Sequence, residues 1–423
     1  MKYSIVTFGC RVNQADSLGF EEELLASGAS ASSPDDADLV VVNTCSVTAS
    51  ADQGARQTIR RIARSNPKAR IVVTGCYATR QPADVASLPN VVRVVRNDDK
   101  PRLVSLVRSV PLQPDFSTAE RFVDGDGSCG ARIEPGVAGR TAFTLRVQTG
   151  CAEACSYCII PSTRGRPASV PLADVLSQVD RVTDAGFKEI ALTGVHLGSY
   201  GRDLSPRTTL LELLVALAAK EKDALFRISS LEPMDCSRQI LDLVASSGSF
   251  APHFHLPLQH ASSRMLSAMG RPYTISYYSE LVDHVRRRLP AASIGSDVIV
   301  GFPGETDDDF DELSAYLESS PLTHLHVFPY SARPGTRAAS MDGPVPGPTV
   351  RQRSAAIRAI SQRLTARFNQ AQIGSIRPGL TLEDGTLVVT DNYLKLRVGP
   401  GRSRNEWVRV RVVSDHDGEL LAG

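Results

Sequence analysis

At 423 residues, with 42% hydrophobic and 22% charged side chains, the chain is long enough for two or three domains and too apolar to be a disordered polymer. A formal net charge of +1 provides no global attraction to nucleic acid, although the stretch from Arg351 onward carries 12 Lys+Arg against 7 Asp+Glu. No segment approaches the roughly 20 apolar residues of a membrane span, and Met1–Cys10 reads as a strand rather than a signal peptide, so a cytoplasmic, reducing location is expected for the 8 cysteines.

Tyr3–Phe8, Ala37–Val42 and Ala69–Thr74 are continuous apolar runs. They alternate with helical patterns over about Ala15–Ala26 and Ala49–Arg64, and Val91–Val95 reads as a last strand. Such runs are the mark of parallel strands buried on both faces, so an open parallel α/β sheet is expected over 1–110. Cys10, Cys45 and Cys76 each fall just beyond a strand end. Ligands of α/β sheets collect at the carboxyl ends of the strands. Three thiols there point to a cluster site, against the alternative that each is a small core residue.

Residues 111–140 are rich in Gly and Pro and read as a linker; Cys129 within it is expected to be no ligand. A strand at Phe143–Val147 then runs into Cys151-Ala-Glu-Ala-Cys155-Ser-Tyr-Cys158. A CxxxCxxC loop can wrap three thiolates around one corner of a 4Fe-4S cube, leaving one iron open to an exogenous ligand. Zinc sites usually take paired CxxC units, and no second pair lies nearby. Further strands are expected at Glu189–Thr193, Leu225–Ser229, Phe254–Leu258, Gly295–Val300 and Leu325–Phe328. Helical patterns separate them at Leu172–Ala185, Leu210–Lys220, Arg238–Ser246, Ser279–Arg288 and Asp307–Glu318, making six βα units over 141–370. That is a partial (β/α)6 barrel with its chemistry at the carboxyl rim. Two histidine pairs, His253/His255 and His324/His326, lie on strands without a third ligand beside either, and satisfied interior histidines are expected. Cys236 reads as structural.

CxxxCxxC with Tyr157 before the last Cys resembles the radical S-adenosylmethionine (SAM) signature. That superfamily binds SAM on the open iron and cleaves it to a 5′-deoxyadenosyl radical. Phe8-Gly-Cys10-Arg-Val-Asn13, Val42-Asn-Thr-Cys45-Ser-Val-Thr48 and Val73-Thr-Gly-Cys76-Tyr-Ala78 resemble the three Cys motifs of the methylthiotransferases, which insert –SCH3 into an unactivated C–H bond. The resemblance implies two 4Fe-4S clusters, on Cys10, Cys45 and Cys76 and on Cys151, Cys155 and Cys158, with sulfur held and methylated at the first. It implies SAM as radical source and as methyl donor. It places SAM contacts at Tyr157, Gly194 (amino-group loop), Glu232 (ribose) and Gly301 (adenine side); Gln259, which presents an amide at the next rim position, is a further candidate.

After a basic helix at about Thr349–Ala371, short β-like runs at Thr386–Thr390, Tyr393–Val398 and Trp407–Val413 suggest a small β-barrel over 371–423. Arg377, Lys395, Arg397, Arg402, Arg404, Arg409 and Arg411 lie among Tyr393 and Trp407. That mixture suits RNA backbone and exposed bases, though it also describes a solvated sheet surface. The family ends in a TRAM-type RNA-binding barrel here, so Lys395, Arg397 and Trp407 are expected to touch RNA. Three family branches compete: threonylcarbamoyl-adenosine in tRNA, isopentenyl-adenosine in tRNA, and a ribosomal-protein aspartate. Asn43–Thr48, Cys158-Ile-Ile-Pro161 and Thr390-Asp-Asn-Tyr-Leu-Lys395 most resemble the first branch. Its substrate carries a carboxylate, for which a bidentate Arg is the suited partner. Arg164, Arg166, Arg271 and Arg333 are candidates among which the sequence does not choose, and a residue of this kind is more often a surface charge. The implied partners are the tRNA anticodon loop, an electron donor such as flavodoxin or ferredoxin, and a sulfur source, with no membrane. A reading of another class, a non-catalytic iron–sulfur RNA-binding protein, is opposed by the open iron of CxxxCxxC.

Overall fold

The computed structural model describes residues 1–108, 141–220, 223–382, 384–416 and 419–422; Cys129 and the expected linker lie outside these. The chain divides into two compact units. Ile159–Gly165, although it directly follows the CxxxCxxC loop, belongs to the first.

The first unit is a five-stranded parallel sheet. Its strands are β1 (Lys2–Thr7), β2 (Ser30–Ala31), β3 (Leu39–Thr44), β4 (Arg70–Gly75) and β5 (Val91–Val95), in the order β2-β1-β3-β4-β5. Central β3 is buried along its whole length. Alternate residues of each strand feed two cores, as a pleat requires. Val40, Val42, Ile71 and Val73 pack with Ile59 and Ile62 of helix Ala49–Ser65, while Leu39, Val41 and Val72 pack with Phe20 and Leu24 of helix Arg11–Ala26. The edge strand β2 is not legible in the sequence because it is two residues long.

In the second unit, β6 (Phe143–Arg146) is followed by a small antiparallel pair, β7 (Gln148–Thr149) and β8 (Ala168–Ser169). Then come β9 (Glu189–Thr193), β10 (Leu225–Ile228), β11 (His253–His255), β12 (Ser293–Val300) and β13 (His324–Pro329). Parallel sheets β10-β9-β6 and β11-β12-β13 meet through a bridge between Phe226 and Phe250. These are the six strands of the expected partial barrel. β11 ends earlier than expected because Pro257 has no N–H to continue the ladder. Helix Gly347–Gln372 leads into a closed barrel of five strands, β14 (Ile376–Leu382), β15 (Leu387–Thr390), β16 (Lys395–Arg397), β17 (Trp407–His416) and β18 (Glu419–Ala422). Its core is Val388, Leu394, Leu396, Val410, Val412 and Leu420.

The small barrel is keyed to the six-stranded core by Arg227, a fully buried cation of β10. Arg227 forms a two-pronged pair with Glu189 at 3.0 and 3.2 Å, donates to the Asp391 carbonyl at 3.2 Å, and lies 4.8 Å from the Tyr393 ring centroid. Tyr393, expected among the RNA-facing aromatics, stacks on Arg227 and remains exposed. Among the described residues no helix is long and apolar enough to cross a membrane.

Candidate functional site

Three thiols of the first unit stand at successive strand ends. Cys10 caps helix Arg11–Ala26, Cys45 directly follows β3, and Cys76 opens a short helix after β4. Two glycines make this possible. Gly9 has φ +91°, and a Cβ there would lie 2.7 Å from Cys45 Sγ; Gly75 has φ +98°, and a Cβ there would strike the Thr44 backbone. Both positions require left-handed backbone and no side chain. The thiols are close enough to feel one another: burial first, then the charges of Cys76 and Cys10, push the Cys45 thiol up to about 11.

Beside them lies a buried polar network. Lys100 Nζ is 2.6 Å from Asp16 and 3.1 Å from Asn43 Oδ1, and Arg164 bonds to Asn13 and, at 3.2 Å, to Asp16. Burial pulls the Lys100 pKa down against the pull of Asp16. Burial also works against charge on Arg164, but Asp16, Cys76 and Cys10 outweigh it and hold the guanidinium charged. Two buried cations share one carboxylate beside three thiols, so the pocket around those thiols is electropositive. A thiolate-ligated cluster is anionic, so three thiols beside two cations are a donor set that fits one. Arg164, considered from sequence as a substrate cation, is thus committed to Asp16 and Asn13 within the first unit.

In the second unit the CxxxCxxC loop is pinned through Ser156. Its N–H donates to the Met269 carbonyl at 2.9 Å, its Oγ to the Ala268 carbonyl at 2.8 Å, and its carbonyl accepts from the Ala338 N–H at 2.8 Å. Tyr157 packs with Met265, Met269, Ile299 and Phe302. Two cations address the thiols. Arg271 Nη1 is 3.1 Å from Cys155 Sγ, and its other nitrogens hold Glu232 and, at 3.1 Å, Tyr273 Oη. His196 Nδ1 is 4.0 Å from Cys151 Sγ, while its Nε2 is 2.7 Å from Asp235, itself 3.1 Å from Arg202. Burial works against charge on His196, but the bonds to Asp235 and Cys151 outweigh it and raise its pKa to about 10. Burial raises the Cys155 thiol, and Arg271 opposes that rise. Cys151 and Cys155 each face a cation backed by a carboxylate, again the environment of an anionic cluster.

The other expected contacts fall as follows. Glu232, expected at the ribose, is the ion-pair partner of Arg271. Gly194 lies over Gln148, whose Oε1 accepts from the His196 N–H at 2.9 Å. Gln259 adopts φ +70° and bonds through its backbone to Asp297 and Ile299 of β12. Gly301 has φ +78° and its open side is filled by Val350. Arg333 is buried, Arg166 is exposed, Lys395 and Arg397 are exposed on the small barrel, and Trp407 is half-buried. Sequence reasoning missed Lys100 and Asp16, which are far apart in the chain, and also Asp235. It also missed Asp297, which joins one histidine of each pair: its Oδ1 lies 2.9 Å from His255 and 3.1 Å from His326.

Six parallel strands around a CxxxCxxC loop at their carboxyl side define a radical SAM enzyme, and the comparisons agree. A profile described as "Radical SAM superfamily" matches residues 145–317, and one described as "Uncharacterized protein family UPF0004" matches residues 2–96. Over 97% of its length the chain is 35% identical to the whole of a threonylcarbamoyladenosine tRNA methylthiotransferase of Aquifex aeolicus. It is 33% identical to the one of Bacillus subtilis, covering 92% of this chain and 88% of that one. A tRNA-2-methylthio-N(6)-dimethylallyladenosine synthase of Burkholderia vietnamiensis is 31% identical over 89% of this chain and 84% of its own. The solved radical SAM methyltransferase TsrM of Kitasatospora setae shares the fold at 16% identity and a TM-score of 0.56, covering 80% of this chain and 74% of that one. The chain belongs to the methylthiotransferase family of radical SAM enzymes, and it uses SAM and iron–sulfur chemistry.

Proposed function

We propose that this enzyme methylthiolates carbon 2 of N6-threonylcarbamoyladenosine next to the anticodon of tRNA. It does so with two 4Fe-4S clusters, one on Cys10, Cys45 and Cys76 and one on Cys151, Cys155 and Cys158. The observation that carries this reading is the pair of three-thiol sites, one in each unit, each set against buried cations. The substrate rests on relatives: those from Aquifex aeolicus, Bacillus subtilis and Thermotoga maritima, at 32–35% identity, all carry the threonylcarbamoyladenosine name. When bound, the cluster of the second unit supplies the electron that cleaves SAM. The chain's own residues do the rest. Arg271 and His196 hold two thiolates, Ser156 fixes the loop, and Tyr157 closes an apolar wall that excludes water. In the first unit Lys100 and Arg164 balance the charge of the other thiol site.

The base must leave the anticodon-loop stack to bring its ring C–H to the reacting centre. A flavodoxin- or ferredoxin-type donor and a sulfur source complete the reaction, in a cytoplasmic setting. The test is mass spectrometry of tRNA nucleosides after reaction of the reconstituted enzyme with tRNA bearing either modification. Methylthiolation of the threonylcarbamoyl nucleoside alone supports the reading. Reaction on the dimethylallyl nucleoside alone moves the enzyme to the other tRNA branch.

A further inference from the structure

The sheet β11-β12-β13 brings together three groups that no thiol site uses. Register places His255 opposite Gly295, and Asp297 opposite His326. With a side-chain period of two, His253, His255, Gly295, Asp297, His324 and His326 share one face. The absence of a side chain at Gly295 is what admits His324, whose ring would meet a Cβ there. The rings of His255 and His326 are 5.2 Å apart, centroid to centroid. Asp297 Oδ1 lies 2.9 Å from His255 Nε2 and 3.1 Å from His326 Nδ1, and the three ligand atoms lie within 4.8 Å of one another.

Two imidazoles and one carboxylate that converge from three neighbouring strands are a donor set for a first-row divalent cation. Donors on a tetrahedral zinc at about 2.0–2.1 Å stand about 3.4 Å apart, so the spacings to Asp297 need to open by only a few tenths of an ångström. The remaining ring nitrogen of His255 is 2.7 Å from Ser230 Oγ, the outer contact that orients a ligating histidine and fixes which nitrogen faces the metal. His255 is buried, whereas the His326 side chain is 56% exposed, so the site is closed behind and open in front. An open front leaves coordination positions for water or another ligand. The donors are nitrogen and oxygen only, which separates this site chemically from both thiol trios.

We infer that His255, Asp297 and His326 bind a first-row divalent cation, with Ser230 orienting His255. The probe is Zn2+, added to the fully reconstituted full-length enzyme after washing with chelator. Equilibrium dialysis with elemental analysis should find one zinc per chain, and the zinc X-ray absorption edge should show a nitrogen and oxygen shell with imidazole outer scattering. Asp297→Asn and His326→Phe should each weaken binding at least tenfold with the iron content unchanged. His326→Phe alters an exposed side chain, so it decides the matter even if Asp297→Asn folds poorly. Zinc in a sulfur shell, zinc bound equally well by His326→Phe, or no zinc bound would overturn the inference and would leave the three side chains as a hydrogen-bonded group. The methylthiolation assay does not enter this test, so its result and the proposed function stand or fall separately.

Discussion

Arg271 shows how much a single side chain can decide. It is nearly buried, touches Cys155 Sγ at 3.1 Å, and shares its charge with Glu232. A cluster gains negative charge on reduction, so a cation at its ligand favours the reduced state and a carboxylate disfavours it. Arg271→Met should therefore lower the reduction potential of the cluster proposed on Cys151, Cys155 and Cys158, and Glu232→Gln should raise it. A charge-assisted hydrogen bond is worth about 1.5–3 kcal/mol, and a one-electron couple moves about 59 mV per tenfold in equilibrium. The whole of such a bond corresponds to about 65–130 mV, which sets the upper scale of the shifts. A redox titration followed by electron paramagnetic resonance, in protein whose Cys10, Cys45 and Cys76 are Ala, reads that cluster alone. Equal shifts of one sign in both variants would show that the pair only packs the loop. The sequence marked Arg271 and Glu232 separately, as a substrate cation and a ribose ligand. It could not show that 39 residues of separation close into one ion pair.

At the scale of elements, the strands were legible because buried parallel strands are unbroken apolar runs, and the thiols were legible because they follow those runs. The environment of the thiols was not. Helix Ile160–Arg164 follows the CxxxCxxC loop in sequence but folds with the first unit, where Arg164 meets Asp16 across 148 residues. Nothing local in the sequence signals that Asp16 is buried and needs cations. The same holds for His255, Asp297 and His326, whose meeting depends on the register of three strands. Lys100→Met tests the first network. It removes one of the two cations on a buried carboxylate together with the hydrogen bonds to Asp16 and Asn43, while Asp16 keeps Arg164. The variant should unfold at lower denaturant and, after reconstitution, should hold about half the wild-type iron, with SAM cleavage retained. Full iron and an unchanged unfolding midpoint would show that Arg164 alone satisfies Asp16. The companion expectation concerns the ligands themselves. Triple Ala variants of either Cys set should each leave about half the iron, and only loss of Cys151, Cys155 and Cys158 should abolish SAM cleavage.

At the scale of the molecule, the small barrel bears on substrate capture. The sequence suggested three strands with scattered Arg and Lys, which are β15, β16 and β17; five close into a barrel, and the two not read are β18, only 4 residues long, and β14, whose Arg-Pro-Gly breaks the apolar alternation. Its aromatic Tyr393 and the Asp391 carbonyl are committed to Arg227 of the core, so deleting the barrel would strip partners from a fully buried cation. Truncation is therefore a poor test of RNA binding. Lys395, Arg397, Arg409 and Arg411 are exposed, and reversing them to Glu leaves the barrel core of Val388, Leu396 and Val410 untouched. If these side chains contact phosphates, each lost contact removes one set of released counterions. The slope of log affinity against log salt should then fall by roughly one per contact. Titrations of fluorescent tRNA between about 50 and 200 mM salt should show weaker binding and a shallower slope in the quadruple variant. Iron content and SAM cleavage without tRNA should stay at wild-type values. Equal affinity and equal slope in the two proteins would assign the barrel to the support of Arg227 and its neighbours alone.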